Sequence, residues 1–416
     1  MSAISAKEAD ASRPKYLIIF EEPSEDNTST LSTVLKRGKA AGVSERAGIS
    51  MLAAANSGVE TKVYEPLGIA AADLSDTQVN SLRKRGDVRA VVENEVRYLP
   101  PIRRTAKRKE SDVRTSDKSR SDAVALAYWR GIRDAATLAL SFYEGGKQPE
   151  AQSLLRTSEA TPSATNTLTW GLRAIGVASA FPPLSGRGIK VAVLDTGLDL
   201  DHPDFRNKVI VGTSARSFVS GVSVQDIHGH GTHCAGTVCG PRESVGEIRY
   251  GVAPDAELLV GKVFNNAIRP KATDDDILEG ITWAEENGAR VISMSLGSKR
   301  NTGGDFPVLY ETIAKRLLNR QANSVLMVAA AGNASDRPHS LVCVENPAAC
   351  PSIMAVAAID EGEEVASFSC KRLDDIGAVD VSAPGVAVYS SVTGGGFEEF
   401  DGTSMAAPHV AGLAAL

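Results

Sequence analysis

What most constrains this chain is a set of five short, mostly apolar runs in its second half. They are Ile189 to Leu194, Leu258 to Phe264, Val291 to Leu296, Val325 to Ala331 and Ile353 to Ile359. Such runs suit strands covered on both faces of a parallel sheet. Helix-compatible segments lie between them, at Thr232 to Val238, Asp274 to Asn287 and Pro307 to Arg320. Strands alternating with helices predict a doubly wound α/β domain with its site at the carboxyl ends of the strands. Asp195 and Asn333 each follow the end of such a run. A hydrophobic content of 43% is enough to fill a core of this kind.

The first hundred residues read differently. Lys15 to Phe20 is a predicted strand, and Thr28 to Ala55 is mostly helix-compatible, with glycine breaks. Lys62 to Pro66 and Ile69 to Asp73 are short strands about Gly68. Ser75 and Gln78 have capping-box spacing and predict a helix through Arg85. Val88 to Val92 and Val96 to Leu99 are predicted to close the segment as strands. The expected organisation is a disordered 1–14, a small α+β ferredoxin-like domain at 15–99, a linker at 100–169 and the main domain at 170–416. The linker is strongly basic up to Ser121, and the apolar spacing from Asp122 to Tyr143 predicts one amphipathic helix at 122–143.

Charge and cysteine usage exclude some partners. A net charge of −6 argues against nucleic acid as a main partner. No apolar run approaches the length of a membrane span. Met1 to Lys15 has no apolar core of a secretory signal, and the compartment stays open. With five cysteines at least one is unpaired if all partners are internal. Cys343 and Cys350 share one loop and could form a small disulfide in an oxidising compartment.

Three stretches carry chemistry. In Gly402-Thr403-Ser404-Met405-Ala406-Ala407-Pro408-His409-Val410-Ala411-Gly412 the small residues predict a tightly packed buried helix, with Ser404 at its N-terminus. Free N–H groups and the dipole favour negative charge there. A serine alone in that place is more often an N-cap than a nucleophile. Asp195-Thr196-Gly197 also spells an aspartic-protease signature, but that chemistry needs two such carboxylates and the chain has one Asp-Thr-Gly. His228, His230 and His233 have nearly the spacing of a zinc hydrolase, with Thr232 at the position that needs an acid.

Taken in order, Val191 to Gly197, His230 to Gly236 and Gly402 to Gly412 resemble the aspartate, histidine and serine motifs of the subtilases, the subtilisin-like serine proteases. The Asp, His, Ser order is that of subtilisin. The resemblance covers Trp170 to Leu416. It implies a serine endopeptidase acting on protein or peptide substrates, with Ser404 as nucleophile, His230 as general base and acid, and Asp195 as the group that orients His230. Asn333 matches the asparagine of the oxyanion hole. Ser295, Leu296 and Gly297 match the edge strand that takes up an extended peptide, and Val325 to Asn333 and Val344 to Ala349 would wall the primary specificity pocket. Cys234 stands where proteinase-K-like members also carry cysteine. Leu67 to Leu99 resembles the inhibitory propeptide, which doubles as a folding chaperone, so the chain would be a zymogen. A non-catalytic relative that keeps the fold is the alternative.

The chemistry implied needs no cofactor. Asp204 matches a ligand of a structural calcium site, although Gly240 to Tyr250 replaces the family's amide-rich partner loop with Pro-Arg-Glu-Ser-Val-Gly-Glu-Ile-Arg. Family members also continue past the serine helix, so more chain is expected after Leu416. Counting back from Pro351-Ser352 puts Glu345 at the pocket base, where it would favour a substrate Lys or Arg. A glutamate more commonly points to solvent. With that specificity, self-cutting is expected between Ile102 and Glu110.

Overall fold

The computed structural model describes residues 13–24, 26–35, 49–52, 61–100, 102–104, 167–177, 184–206 and 208–416. The predicted helix at 122–143, the basic run Lys107 to Lys109 and residues 1–12 lie outside the described residues.

The first unit comprises β1 (Tyr16–Phe20), α1 (Asp26–Leu35), β2 (Ile49–Leu52), β3 (Thr61–Tyr64), β4 (Ile69–Ala72), α2 (Asp76–Arg83) and β5 (Val88–Glu93). Its antiparallel sheet runs β2-β3-β4-β1-β5. The four strands β5-β1-β4-β3 have the interleaved order of a ferredoxin-like sheet. β2 is an added edge strand within a stretch expected to be mainly helical. The capping box at Ser75 forms as its spacing predicts, and α2 stops at Arg83. β1 shows why this sheet is apolar on both sides. Ile18 and Phe20 face Leu31, Val79 and Leu82 of the unit's own helices, whereas Leu17 and Ile19 join the core of the larger domain. All four are fully buried.

The chain then makes β6 (Val96–Tyr98), β7 (Arg103–Arg104), β8 (Thr167–Leu168) and α3 (Trp170–Ala174). β6 was expected to close the first sheet. It leaves that sheet and pairs antiparallel with β13 (Lys271–Thr273) of the main domain, because Arg97 reaches a buried acid there.

The main sheet has seven strands, with all neighbours parallel. In spatial order they are β10 (Ala215–Ser217), β12 (Glu257–Lys262), β9 (Lys190–Asp195), β14 (Ala289–Met294), β15 (Leu326–Ala330), β16 (Met354–Ile359) and β17 (Val381–Pro384). The five apolar runs all become strands of this sheet. Within β9, Ala192 and Leu194 pack under α5 (Asp274–Glu286) and α6 (Val308–Leu318). Val191 and Val193 pack under α4 (His230–Cys239) and α7 (Thr403–Ala415). A strand with helices on both faces has no solvent side for a polar residue. The sequence enters at β9, builds one side of the sheet, then crosses to β14 on the other. The switch point therefore lies beside β9, whose carboxyl end is Asp195. Two short pieces complete the domain: β11 (Ile248–Arg249) pairs with β8, and β18 (Val388–Val392) pairs with β19 (Gly396–Asp401), which in turn pairs with β7. Among the described residues no helix is long and apolar enough to cross a membrane.

Candidate active site

Asp195 and His230 meet because the end of β9 and the start of α4 approach more closely than side chains allow. A Cβ on Gly231 would stand 2.4 Å from the Gly197 carbonyl oxygen. The Gly231 N–H donates to Thr196 Oγ1 at 2.8 Å. His230 Nδ1 lies 2.8 and 3.0 Å from the two Asp195 oxygens, and Asp195 Oδ1 also accepts from the Thr196 N–H at 2.7 Å. Both side chains are buried. Burial works against the charged imidazole, but the Asp195 carboxylate raises the His230 pKa well above its ordinary value.

Asp226, which the sequence reading missed, secures this helix start. Its Oδ1 accepts from the N–H groups of His228 and Gly229, and its Oδ2 from the N–H and hydroxyl of Thr232. The available signal was an acid four positions before the first helical residue.

Ser404 sits in the first turn of α7, as expected, and is 2% exposed. Among the described residues its Oγ has no hydrogen-bond partner. Its carbonyl accepts from Ser295 Oγ at 2.7 Å and from the Cys234 thiol at 3.4 Å, which ties the serine to the end of β14 and to α4. Asn333 is turned by Thr403. Asn333 Oδ1 accepts from the Thr403 N–H at 2.8 Å and from Thr403 Oγ1 at 2.9 Å, and Thr403 Oγ1 accepts from the Gly332 N–H at 3.1 Å. The Asn333 amide nitrogen is thereby left to point elsewhere. A Cβ built on Gly402 would lie 3.4 Å from Asn333 Nδ2 and 3.6 Å from the Ser404 nitrogen, so both donors border one small space.

The other predicted residues divide. Gly297 forms an antiparallel bridge with Tyr98, so the edge expected to take up a peptide holds the chain's own segment. Leu296 is buried in the core, and Ser295 acts through its contact with Ser404. Glu345 is 8% exposed and does not point to solvent. His233 Nε2 donates to the Val388 carbonyl at 2.9 Å, and its ring stacks on Phe400. With His233 committed there, the His228, His230 and His233 zinc reading loses a ligand. Cys234 is a buried thiol whose pKa is raised by burial, in keeping with a small hydrophobe. Cys343 and Cys350 are not bonded to each other: their thiols face the Arg300 and Pro307 carbonyls.

Asp204 does not fit the calcium role. Its Oδ1 accepts from the Val245 N–H, and its Oδ2 accepts from Ser244 Oγ at 2.8 Å and Tyr250 OH at 2.7 Å. Donors from the Gly240 to Tyr250 loop occupy the lone pairs that a calcium ion would need.

The first unit docks on the acid-rich start of α5. Asp274, Asp275 and Asp276 occupy its first turn behind a Thr273 capping box. Each meets a cation from upstream. Arg97 grips Asp274 with two bonds of 2.7 and 2.9 Å, Lys62 pairs with Asp275 at 2.8 Å, and Arg13 contacts Asp276. Arg316 of α6 donates to the backbone carbonyls of Phe20, Glu21 and Leu67. Past Tyr98 the chain reaches β7, where Arg103 pairs with Asp401, three positions before Ser404. Arg103 also donates to the Asn333 carbonyl at 3.3 Å. Tyr98 and Arg103 thus stand on two segments that both abut the surroundings of Ser404.

The model of the subtilase family matches residues 186–416. An "Intracellular serine protease" of Paenibacillus polymyxa is 37% identical over 253 residues, 60% of this chain and 73% of that protein. "Subtilisin DY" of Bacillus licheniformis is 41% identical over 234 residues, 56% of this chain and 77% of that protein. Among solved structures, one titled "S41 Psychrophilic Protease" has a TM-score of 0.48 and 34% identity, covering 61% of this chain and 84% of the other. The protein is a serine-type endopeptidase on an α/β scaffold. The chain belongs to the subtilase family.

Proposed function

We propose that Ser404, His230 and Asp195 form the catalytic triad and that Asn333 completes the oxyanion hole. The observation that carries this reading is the buried Asp195–His230 pair at the switch point of the sheet. In the reaction Ser404 Oγ attacks the peptide carbonyl while His230 Nε2 takes its proton. Asp195 holds the proton on Nδ1 and stabilises the imidazolium. The oxygen that becomes negative accepts from Asn333 Nδ2 and the Ser404 N–H, which border one space. His230 then gives its proton to the leaving amine, and water, deprotonated by His230, releases the acyl group from Ser404. No metal takes part in these steps.

Residues 15–99 are the inhibitory segment of this zymogen. Two observations support that role: Tyr98 occupies the edge at Gly297, and the first unit supplies the cations for α5. The kinetic test is a set of single and combined variants. Ser404→Ala should lower kcat by about 10⁶, a magnitude measured in subtilisin itself, and adding His230→Ala should lower it little further. A Ser404→Ala enzyme with more than a thousandth of the wild-type kcat would refute the assignment.

A further inference from the structure

Glu345 is a buried carboxylate without a charge partner at the edge of the site. Its loop is fastened on both sides. The Glu345 N–H donates to the Ala331 carbonyl at 3.0 Å, and the Asn346 and Ser298 backbones exchange bonds of 3.0 and 2.8 Å. The side chain lies between two glycines. A Cβ on Gly332 would come 2.6 Å from Glu345 Cδ, and one on Gly297 would come 3.3 Å from Oε2. The carboxylate therefore lies between Gly297 and Gly332, past the ends of β14 and β15 and one position from Asn333. Among the described residues it accepts no hydrogen bond and has no cation within ion-pair distance. The cations nearby are committed or turned away. Arg300 is bound to Asp374 by two bonds of 2.9 Å, Arg103 lies over the Phe368 ring, and Lys299 is exposed.

A largely buried carboxylate with no partner is costly, so a protein that keeps one is expected to have a cation supplied to it. We propose that Glu345 selects Lys or Arg as the substrate residue whose carbonyl Ser404 attacks. The proposal rests on the triad and oxyanion assignment above. With that carbonyl at Asn333, its own side chain enters the space beside Gly332 and meets the carboxylate. Burial raises the Glu345 pKa above its ordinary value, and Lys299 opposes this. Cys370, whose thiol is raised by burial to about 11, stays neutral beside it. The preference should therefore weaken in acid as Glu345 takes up a proton.

The test uses active enzyme from the full chain, counted by titration of Ser404 with a fluorophosphonate. Peptides that differ only at the residue before the scissile bond are compared. Arg and Lys should exceed Leu by at least about 10²-fold in kcat/KM, and Glu345→Gln should remove most of that ratio while still titrating fully. In the wild type, benzamidinium should compete with substrate and its neutral analogue benzamide should not, which covers the case of a variant that fails to fold. A titrating enzyme that prefers Leu or Phe, a Glu345→Gln enzyme with an unchanged ratio, or equal inhibition by the two compounds would overturn the proposal. Failure to titrate would instead defeat the triad assignment.

Discussion

Arg97 offers a quantitative test of how the first unit is held over the site. Its guanidinium is 2% exposed and Asp274, at 3%, is equally dry. The pair is bidentate, and further polar groups meet it. Tyr310 OH donates to Asp274 Oδ1 at 2.8 Å, and Arg97 also donates to Ser298 Oγ at 2.6 Å. Arg97→Met would leave Asp274 buried opposite an apolar chain. Breaking such a pair from one side costs about 3–5 kcal/mol, because the remaining charge stays desolvated. Opening the segment returns Asp274 to water and relieves that cost. The open fraction should therefore rise by about two to three and a half decades, at 1.36 kcal/mol per decade. In a Ser404→Ala background that cannot cut itself, a fluorescent peptide substrate competes with the chain's own segment, and its apparent affinity scales with the open fraction. Fluorescence anisotropy should show at least about 10²-fold tighter apparent binding, up to the intrinsic affinity. Arg97→Met with Asp274→Leu should recover much of the closure, since an apolar pair of similar volume carries no stranded charge. A change under about threefold in the single variant would refute the reasoning.

Three further outcomes follow. Because Asp195 raises the His230 pKa, kcat/KM should climb with pH to a midpoint above the ordinary histidine value of about 6.5, and Asp195→Asn should lower that midpoint along with the rate. His409 and His233 behave oppositely: burial holds them down to about 4 and about 3. Between those values and about 6.5 the unfolded chain binds protons that the folded chain does not. Stability is then lost as pH falls, by about 2–3 kcal/mol per histidine at pH 4.5, and denaturant midpoints of the Ser404→Ala protein should show it. Thr403→Val should leave the Gly332 N–H unpaired, costing about 1–3 kcal/mol of stability. It should also lower kcat by up to about 10²–10³, the loss measured in subtilisin for one oxyanion donor, with KM little changed; Thr403→Ser should restore both.

The sheet and the Ser404 helix were legible in the sequence because both depend on local composition. Runs such as Val191 to Leu194 leave no solvent face, and the small residues of α7 permit contacts such as Gly412 against Val252, where a Cβ would stand 2.6 Å from Val252 Cβ. Asp195 and His230 stood out through family resemblance, and the structure shows why glycine lies beside them: the backbones approach closely at Gly197 and Gly231. What could not be read depends on contacts between distant segments. β6 has the composition of a closing strand, and only the Asp274 partner 177 positions away explains why it joins the main domain. β2 is an edge strand in a helix-compatible stretch, where pairing with β3 overrides propensity. Asp204 looked like a cation ligand until Ser244, Val245 and Tyr250 were seen to occupy its oxygens. Thr403 carries no signal of its own, since its task is to turn an amide 70 positions upstream.

The central claim is that Ser404 is the nucleophile, and the most direct measurement is the site of a covalent adduct. Active enzyme from the full chain is treated with a fluorophosphonate, digested and mapped by mass spectrometry. The account predicts one stoichiometric adduct on Ser404 Oγ, formed in step with loss of peptidase activity. The adduct should form much more slowly after His230→Ala and not at all after Ser404→Ala. Peptidase activity that survives with Ser404 fully modified, or inactivation with the adduct on another residue, would contradict it.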